Sequence, residues 1–244
     1  MIKEAIESLR AGKPILIHDS ISRENETDIV IPSQFISPDN INFMRKNGGG
    51  LICTTMTWRD AEKIGLTYLE NIYSEAFPQR LHLFNQDDLR YDRSSAFTLS
   101  VNSRDTFTGI SDYDRYLTIS NFSKFISEIE SMNGNAVKEF DSRFRSPGHV
   151  FLLIARNDYF NSRQGHTELS TYMMELAGLV PSATIVEMLS DTGKSASVDE
   201  AMKFAEDHQL TFIEGESIIR EWVNDAGNGH RGIRHPASGA YSFS

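Results

Sequence analysis

Residues 149–189 read HVFLLIARNDYFNSRQGHTELSTYMMELAGLVPSATIVEML. Val150 to Ala155 is a short apolar run with strand character. Thr167 to Leu176 carries a helical pattern closed by Gly178, and Ala183 to Leu189 is a second apolar run. The unit is therefore strand–helix–strand. Outward from it the same alternation continues. Ile2, Ala5, Ile6 and Leu9 predict a first helix, stopped at Gly12. Pro14 to His18, Ile29 to Ile31, Leu51 to Thr55, Ala96 to Val101 and Leu210 to Ile213 read as strands. Ser37-Pro38 opens a helix that runs to about Asn47, Thr57 caps a short one, and Ser111 opens a long one. Ser197 and Glu200 form a capping box for a helix to about His208, and Ile218 to Val223 is a last helix. Residues 70–94 are mixed and polar and read as loop. Strands and helices alternating without repeats predict an α/β (α+β) sandwich, a mixed β-sheet flanked by helices. Residues 1–223 form one domain, and 224–244, with His230, Arg231, Arg234 and His235, read as a disordered tail.

The 244 residues suffice for one large core. They carry 24 Lys plus Arg against 34 Asp plus Glu, a net charge of −10 that argues against a nucleic-acid partner or a basic membrane surface. A local cluster can still override that sign for a small anionic substrate. A single Cys excludes an internal disulfide and a Cys-only zinc site, and points to a reducing cytoplasm. The amphipathic start lacks a signal-peptide core, and no run of about 18 apolar residues predicts a membrane span.

Three polar clusters carry candidate chemistry. Asp19 to Asp28, with Arg23, Glu24 and Glu26, lies between two apolar strands and reads either as a solvated loop or as a site for a hard divalent cation and its substrate. Arg163-Gln164-Gly165-His166-Thr167-Glu168 precedes a helix, where backbone N–H groups and the dipole favour an anion. Arg163 adds charge, Thr167 a hydroxyl, and His166 an imidazole ligand. Equally, Thr167 reads as a plain N-cap and Glu168 as a first-turn acid. Glu187 stands within a strand, facing either a polar surface or a cleft whose dryness would prepare it for acid–base work. His149 and Cys53, each by itself, read as a structural histidine and a buried thiol.

Taken together, Asp19 with RENETD (23–28), GGGLIC (48–53), FTGISDYDR (107–115), SPGHVFLL (146–153), RQGHTE (163–168) and IVEM (185–188) resemble the 3,4-dihydroxy-2-butanone 4-phosphate synthase family over residues 1–223. The wording is most similar to monofunctional archaeal members. Thr27 replaces the glycine of many bacterial members and leaves every charged position intact. The resemblance implies that Glu24 and His166 hold two divalent metals, Mg²⁺ or Mn²⁺. It implies that Arg23, Asp28 and Arg163, Gln164, Gly165, His166 and Thr167 contact a sugar phosphate, with Arg163 and Thr167 at its phosphate. His149 and Glu187 match residues essential for activity, and Asp19, Cys53 and Thr108 match further active-site positions. The resemblance also implies a homodimer whose active sites draw on both subunits. The residues after Asn224 are too few to be the GTP cyclohydrolase II of the bacterial fusions, and one cysteine cannot supply its zinc thiolates.

The reaction so implied turns ribulose 5-phosphate into formate and 3,4-dihydroxy-2-butanone 4-phosphate. It needs a proton taken from beside a carbonyl, loss of the C1 hydroxyl, a skeletal shift and release of C4. Metals on the substrate oxygens would acidify that proton. Asp19 or Glu24 would share acid and base roles with Glu187, and His149 would donate a proton or orient. Two rival readings remain open: another metal-dependent enzyme acting on sugar phosphates, and a binding module that keeps the fold without turnover.

Overall fold

The computed structural model describes residues 1–84, 88–92 and 94–227 of the chain. In order, the elements are α1 (Ile2–Arg10), β1 (Ile15–His18), β2 (Thr27–Pro32), α2 (Pro38–Asn47), β3 (Cys53–Met56), α3 (Trp58–Lys63), α4 (Leu69–Ala76), α5 (Leu81–Phe84) and β4 (Phe97–Ser103). Then come α6 (Asp112–Glu128), α7 (Ala136–Arg143), β5 (Phe144–Ile154), α8 (His166–Leu176), β6 (Ala183–Glu187), α9 (Val198–His208), β7 (Thr211–Glu214) and α10 (Gly215–Gly227). The described strands make one sheet in the order β4-β5-β3-β6-β2-β1-β7. β1 with β7 and β3 with β5 run parallel, while the other neighbours run antiparallel, so the sheet is mixed as predicted.

Alternation along the strands sends side chains to two cores. Ile15, Ile17, Val30, Ile185 and Leu153 face one way and pack with Leu9 of α1, Leu169 and Met173 of α8 and Ile218 of α10. Leu16, Ile29, Ile31 and Val186 face the other way, against Ile41 and Met44 of α2, Ile119 of α6 and Ala201 of α9. A third cluster joins Phe122 and Phe125 of α6 to Phe140 of α7 and Leu152 and Ile154 of β5. Helices thus cover both faces, which is why β1 and β2 are buried at every residue. Among the described residues no helix is long and apolar enough to cross a membrane.

The caps at Ser37, Thr57 and Ser111 and the Ser197–Glu200 capping box form as the sequence predicts. Three expectations need correction, and one helix has no counterpart among them. The stretch 70–94, read as loop, contains most of α4 and all of α5; Leu69, Ile72, Tyr73 and Ala76 recur at helical spacing, but none of α4 is buried, so no core stripe announced it. α7 went unread because its buried face is only Ala136 and Phe140. β5 begins at Phe144 rather than at Val150. Its early half is largely exposed and contains Pro147-Gly148, where a Cβ on Gly148 would collide with the backbone of Val101 on β4. The last helix passes the expected boundary at 223 and continues to Gly227, tied by Trp222 against Phe160 and by the Tyr172 hydroxyl to Asp225 at 3.0 Å. His230, Arg231, Arg234 and His235 lie outside the described residues.

Candidate active site

β1 ends at His18 and the chain turns on Asp19. One Asp19 oxygen accepts the Glu24 N–H (3.0 Å) and an Arg23 Nη1 bond (3.1 Å), and the other accepts the Glu26 N–H (3.1 Å). Asn25 takes a left-handed φ of 56°, a conformation asparagine tolerates, and its side chain meets His18 Nε2 at 3.2 Å. His18 Nδ1 in turn lies 2.8 Å from Glu214 on the neighbouring β7. The acidic segment is therefore a built loop with a solvated outer edge: Asp19 and Asp28 are 3% and 1% exposed, while Ile21, Ser22 and Asn25 face solvent.

β2 sets Asp28 directly opposite Glu187 of β6. The first residue of α8, His166, reaches Asp28 and Glu24: Nε2 lies 3.6 Å from Asp28 Oδ1, and Nδ1 lies 3.4 Å from Glu24 Oε2. These side chains, with Cys53, Arg163, Thr167, Tyr91 and Asp92, line a cavity of about 150 Å³. Arg163 bonds Asp92 (2.9 Å) and Glu168 (2.8 Å), and Glu168 also accepts the Arg156 N–H at 3.1 Å.

The charges here answer to burial and to one another. Burial opposes ionising Glu24, yet the His166 and Arg23 partners outweigh it and hold the carboxyl down at about 2. Asp28 goes the other way, pushed up to about 8 by burial and by the neighbouring Glu187 and Glu24 charges, against the pull of His166. Burial disfavours the His166 imidazolium, but Asp28, Glu24 and Asp19 raise it to about 9. Burial raises Glu187 above the ordinary glutamate range, and it raises the Cys53 thiol well above its own. Cys53 is thus a neutral thiol in the cavity wall, and the thiolate form is disfavoured.

The same cluster fits a hard cation. Asp19, Glu24 and His166 each bring a ligand atom within 4.8 Å of one another. Asp28 Oδ1 and His166 Nε2 are buried without a hydrogen-bond partner, 3.6 Å apart. A carboxylate-rich set with one imidazole suits Mg²⁺ or Mn²⁺ better than a thiophilic metal.

The predicted residues fall into two groups. Asp19, Arg23, Glu24, Asp28, Cys53, Arg163, His166, Thr167 and Glu187 meet at or beside the cavity. His149 and Thr108 form a second group that does not line it. β5, which carries His149, is separated from β2 by β3 and β6. The His149 N–H bonds the Asn102 side chain at 2.8 Å, and the ring lies against Gly109. The Asp114 carboxylate at the start of α6 accepts the N–H groups of Phe107, Thr108 and Gly109 and the Thr108 hydroxyl. Those bonds, the Gly109 N–H first, hold it at about 2. Gln164 is exposed, its amide 3.5 Å from the Phe160 carbonyl, and it does not line the cavity. Gly165, not Thr167, is the N-cap of α8, so the simple capping reading of Thr167 fails. Glu168 is more than a first-turn acid, since it is fully buried and holds Arg163. Sequence reasoning missed Asp92 and Tyr91, which stand in a stretch with no motif.

The family model for 3,4-dihydroxy-2-butanone 4-phosphate synthase matches residues 3–221. The chain belongs to this family. The 3,4-dihydroxy-2-butanone 4-phosphate synthase of Methanothermobacter thermautotrophicus is 41% identical over 227 residues, covering 91% of this chain and 96% of that protein. That of Archaeoglobus fulgidus is 42% identical over 224 residues, covering 90% and 93%. Both bear out the archaeal likeness of the motifs. A solved 3,4-dihydroxy-2-butanone 4-phosphate synthase in complex with two magnesium ions superposes with a TM-score of 0.71 at 28% identity, covering 93% of this chain and 98% of that one. Membership makes the protein an enzyme, a lyase with its place in riboflavin biosynthesis, and sets aside the binding-module reading.

Proposed function

We propose that the protein converts D-ribulose 5-phosphate to formate and 3,4-dihydroxy-2-butanone 4-phosphate. The observation that carries this reading is the meeting of Asp19, Glu24 and His166 within 4.8 Å, in a cavity that also holds Glu187 and the Arg163 turn. Two divalent cations, Mg²⁺ or Mn²⁺, held through Glu24 and His166, would polarise the substrate's carbonyl and hydroxyl oxygens and acidify the C–H between them.

The chain's own residues do the rest. Glu187 is the base: burial strengthens its hold on a proton, and it lies across from Asp28 at the cavity floor. Asp19 has both oxygens committed to loop N–H groups and Arg23, so it positions the loop instead of carrying protons. Arg23, Arg163, Thr167 and the first-turn N–H groups of α8 bind the phosphate. Asp28 contacts the sugar hydroxyls, and Cys53 closes the wall without acting as a nucleophile.

His149 and Thr108 stand in their own group, which supports a homodimer in which one subunit's His149 and Thr108 complete its partner's site. In that role His149, oriented through Asn102, donates a proton to a departing oxygen. The working compartment is the cytoplasm. Purified protein should release formate from ribulose 5-phosphate, lose that activity in EDTA and recover it with Mg²⁺. Full activity in metal-free buffer, or turnover without formate, would contradict the scheme and favour another sugar-phosphate enzyme.

A further inference from the structure

One carboxylate, that of Asp92, engages both arginines of the cavity. A single oxygen, Oδ2, accepts from Arg23 Nη2 and from Arg163 Nε, the latter at 2.9 Å. The two guanidinium groups come from distant parts of the chain and converge over Gly165, where a Cβ would meet Nη1 of one and Nη2 of the other. Each arginine is already held by other acids. Arg23 bonds Asp19 at 3.1 Å and Glu24 at 2.5 Å, and Arg163 bonds the buried Glu168 at 2.8 Å. Asp92 is therefore redundant for orienting them. It occupies one donor of each arginine that the other acids leave over, while Arg23 Nε is buried without a partner, and these are donors an incoming oxyanion can use.

The surroundings let it be displaced. Asp92 and its neighbours Leu89, Tyr91 and Ser94 line both the inner cavity and an adjoining one of about 370 Å³ that also exposes Arg156. The Asp92 side chain is 12% exposed, and Tyr91, with its ring 5.3 Å from the Arg23 guanidinium, is itself exposed. A phosphate monoester brings nearly two charges and three acceptor oxygens, against one charge on a carboxylate.

We propose that Asp92 is an internal stand-in for the substrate's phosphate. It neutralises the Arg23–Arg163 pair in the free enzyme and yields that pair to a phosphate monoester. By the same charge it turns away weaker monoanions such as chloride and formate. The proposal rests on the reading of these arginines as phosphate-binding.

The test uses the full chain and inorganic phosphate as probe, with binding measured by calorimetry without added divalent metal. Asp92→Asn removes the competing charge and should bind phosphate roughly tenfold more tightly than wild type. It should also lower KM for ribulose 5-phosphate without raising kcat, and make chloride a stronger inhibitor. Asp92→Glu should restore the wild-type values. Asp92→Ser serves as the second neutral variant if the asparagine form does not keep the native circular dichroism spectrum. Unchanged or weaker phosphate binding in a folded neutral variant would overturn the proposal. So would a wild-type enzyme that releases formate while no variant binds phosphate. A tenfold gain in phosphate affinity without any formate release would support the anion site and overturn the substrate reading instead.

Discussion

Glu187 and Asp28 owe their chemistry to where one strand ends and its neighbour begins. They pair across β6 and β2 at the end where the acidic loop and the first turn of α8 meet, so burial acts on both. Glu187 lies outside the Asp19–Glu24–His166 group, and the proposed function makes it a base and not a metal ligand. Glu187→Gln should therefore lower formate turnover by about a hundredfold or more while leaving Mg²⁺ affinity within about twofold. Steady-state formate assays and Mg²⁺ calorimetry check this, and equal losses in both would make Glu187 a ligand. At this scale the site was legible where its residues are consecutive, as in Arg23 to Asp28 and Arg163 to Glu168. Asp92 was not legible, because its meaning lies in a bond to Arg23 across 69 positions. Glu168 shows the same limit: a first-turn acid on paper, it becomes the buried anchor of Arg163 once β5 brings Arg156 beside it.

Elements with a buried stripe or a cap were readable, and those lying on the surface were not. α2, α6 and α9 announce themselves by serine caps and core residues, whereas α4 and α5 bury none of their side chains. The early half of β5 failed for another reason, since Pro147-Gly148 reads as a turn while its backbone packs on β4. α8 joins two environments. Its first turn supplies His166, and near its end Glu175 is pushed from 4.5 up to about 7, by burial first and with the nearby Asp60 charge adding to it. The unfolded chain gives up that proton near pH 4.5 and the folded one near pH 7. Stability is thus fully present at low pH, falls between those values and stays lower above them. Glu175→Gln should match the wild type near pH 4 and exceed it by up to about 3 kcal/mol at pH 8. Urea unfolding at both pH values measures it, and a stability gain independent of pH would assign the effect to packing.

For the whole molecule, the net charge of −10 describes a surface and not a site. Arg23 and Arg163 do supply positive charge at the cavity, but Asp19, Glu24, Asp92 and Glu168 compensate it. The sandwich itself was readable from strand–helix alternation; the separation of His149 and Thr108 from the acidic cluster was not, since only the strand order shows it. If two subunits complete each site, His149→Ala and Glu187→Gln should each be inactive alone. Mixed and reassociated, they should recover about a quarter of wild-type turnover, because half the dimers are mixed and one site of each is intact. No recovery, with hybrid dimers verified by native mass spectrometry, would place both residues in one subunit's site. The central claim concerns which carbon leaves. Ribulose 5-phosphate labelled with ¹³C at C4 should give ¹³C-formate and an unlabelled four-carbon phosphate in equal amounts by NMR. Label retained in the sugar-derived product, or formate without it, would contradict the account.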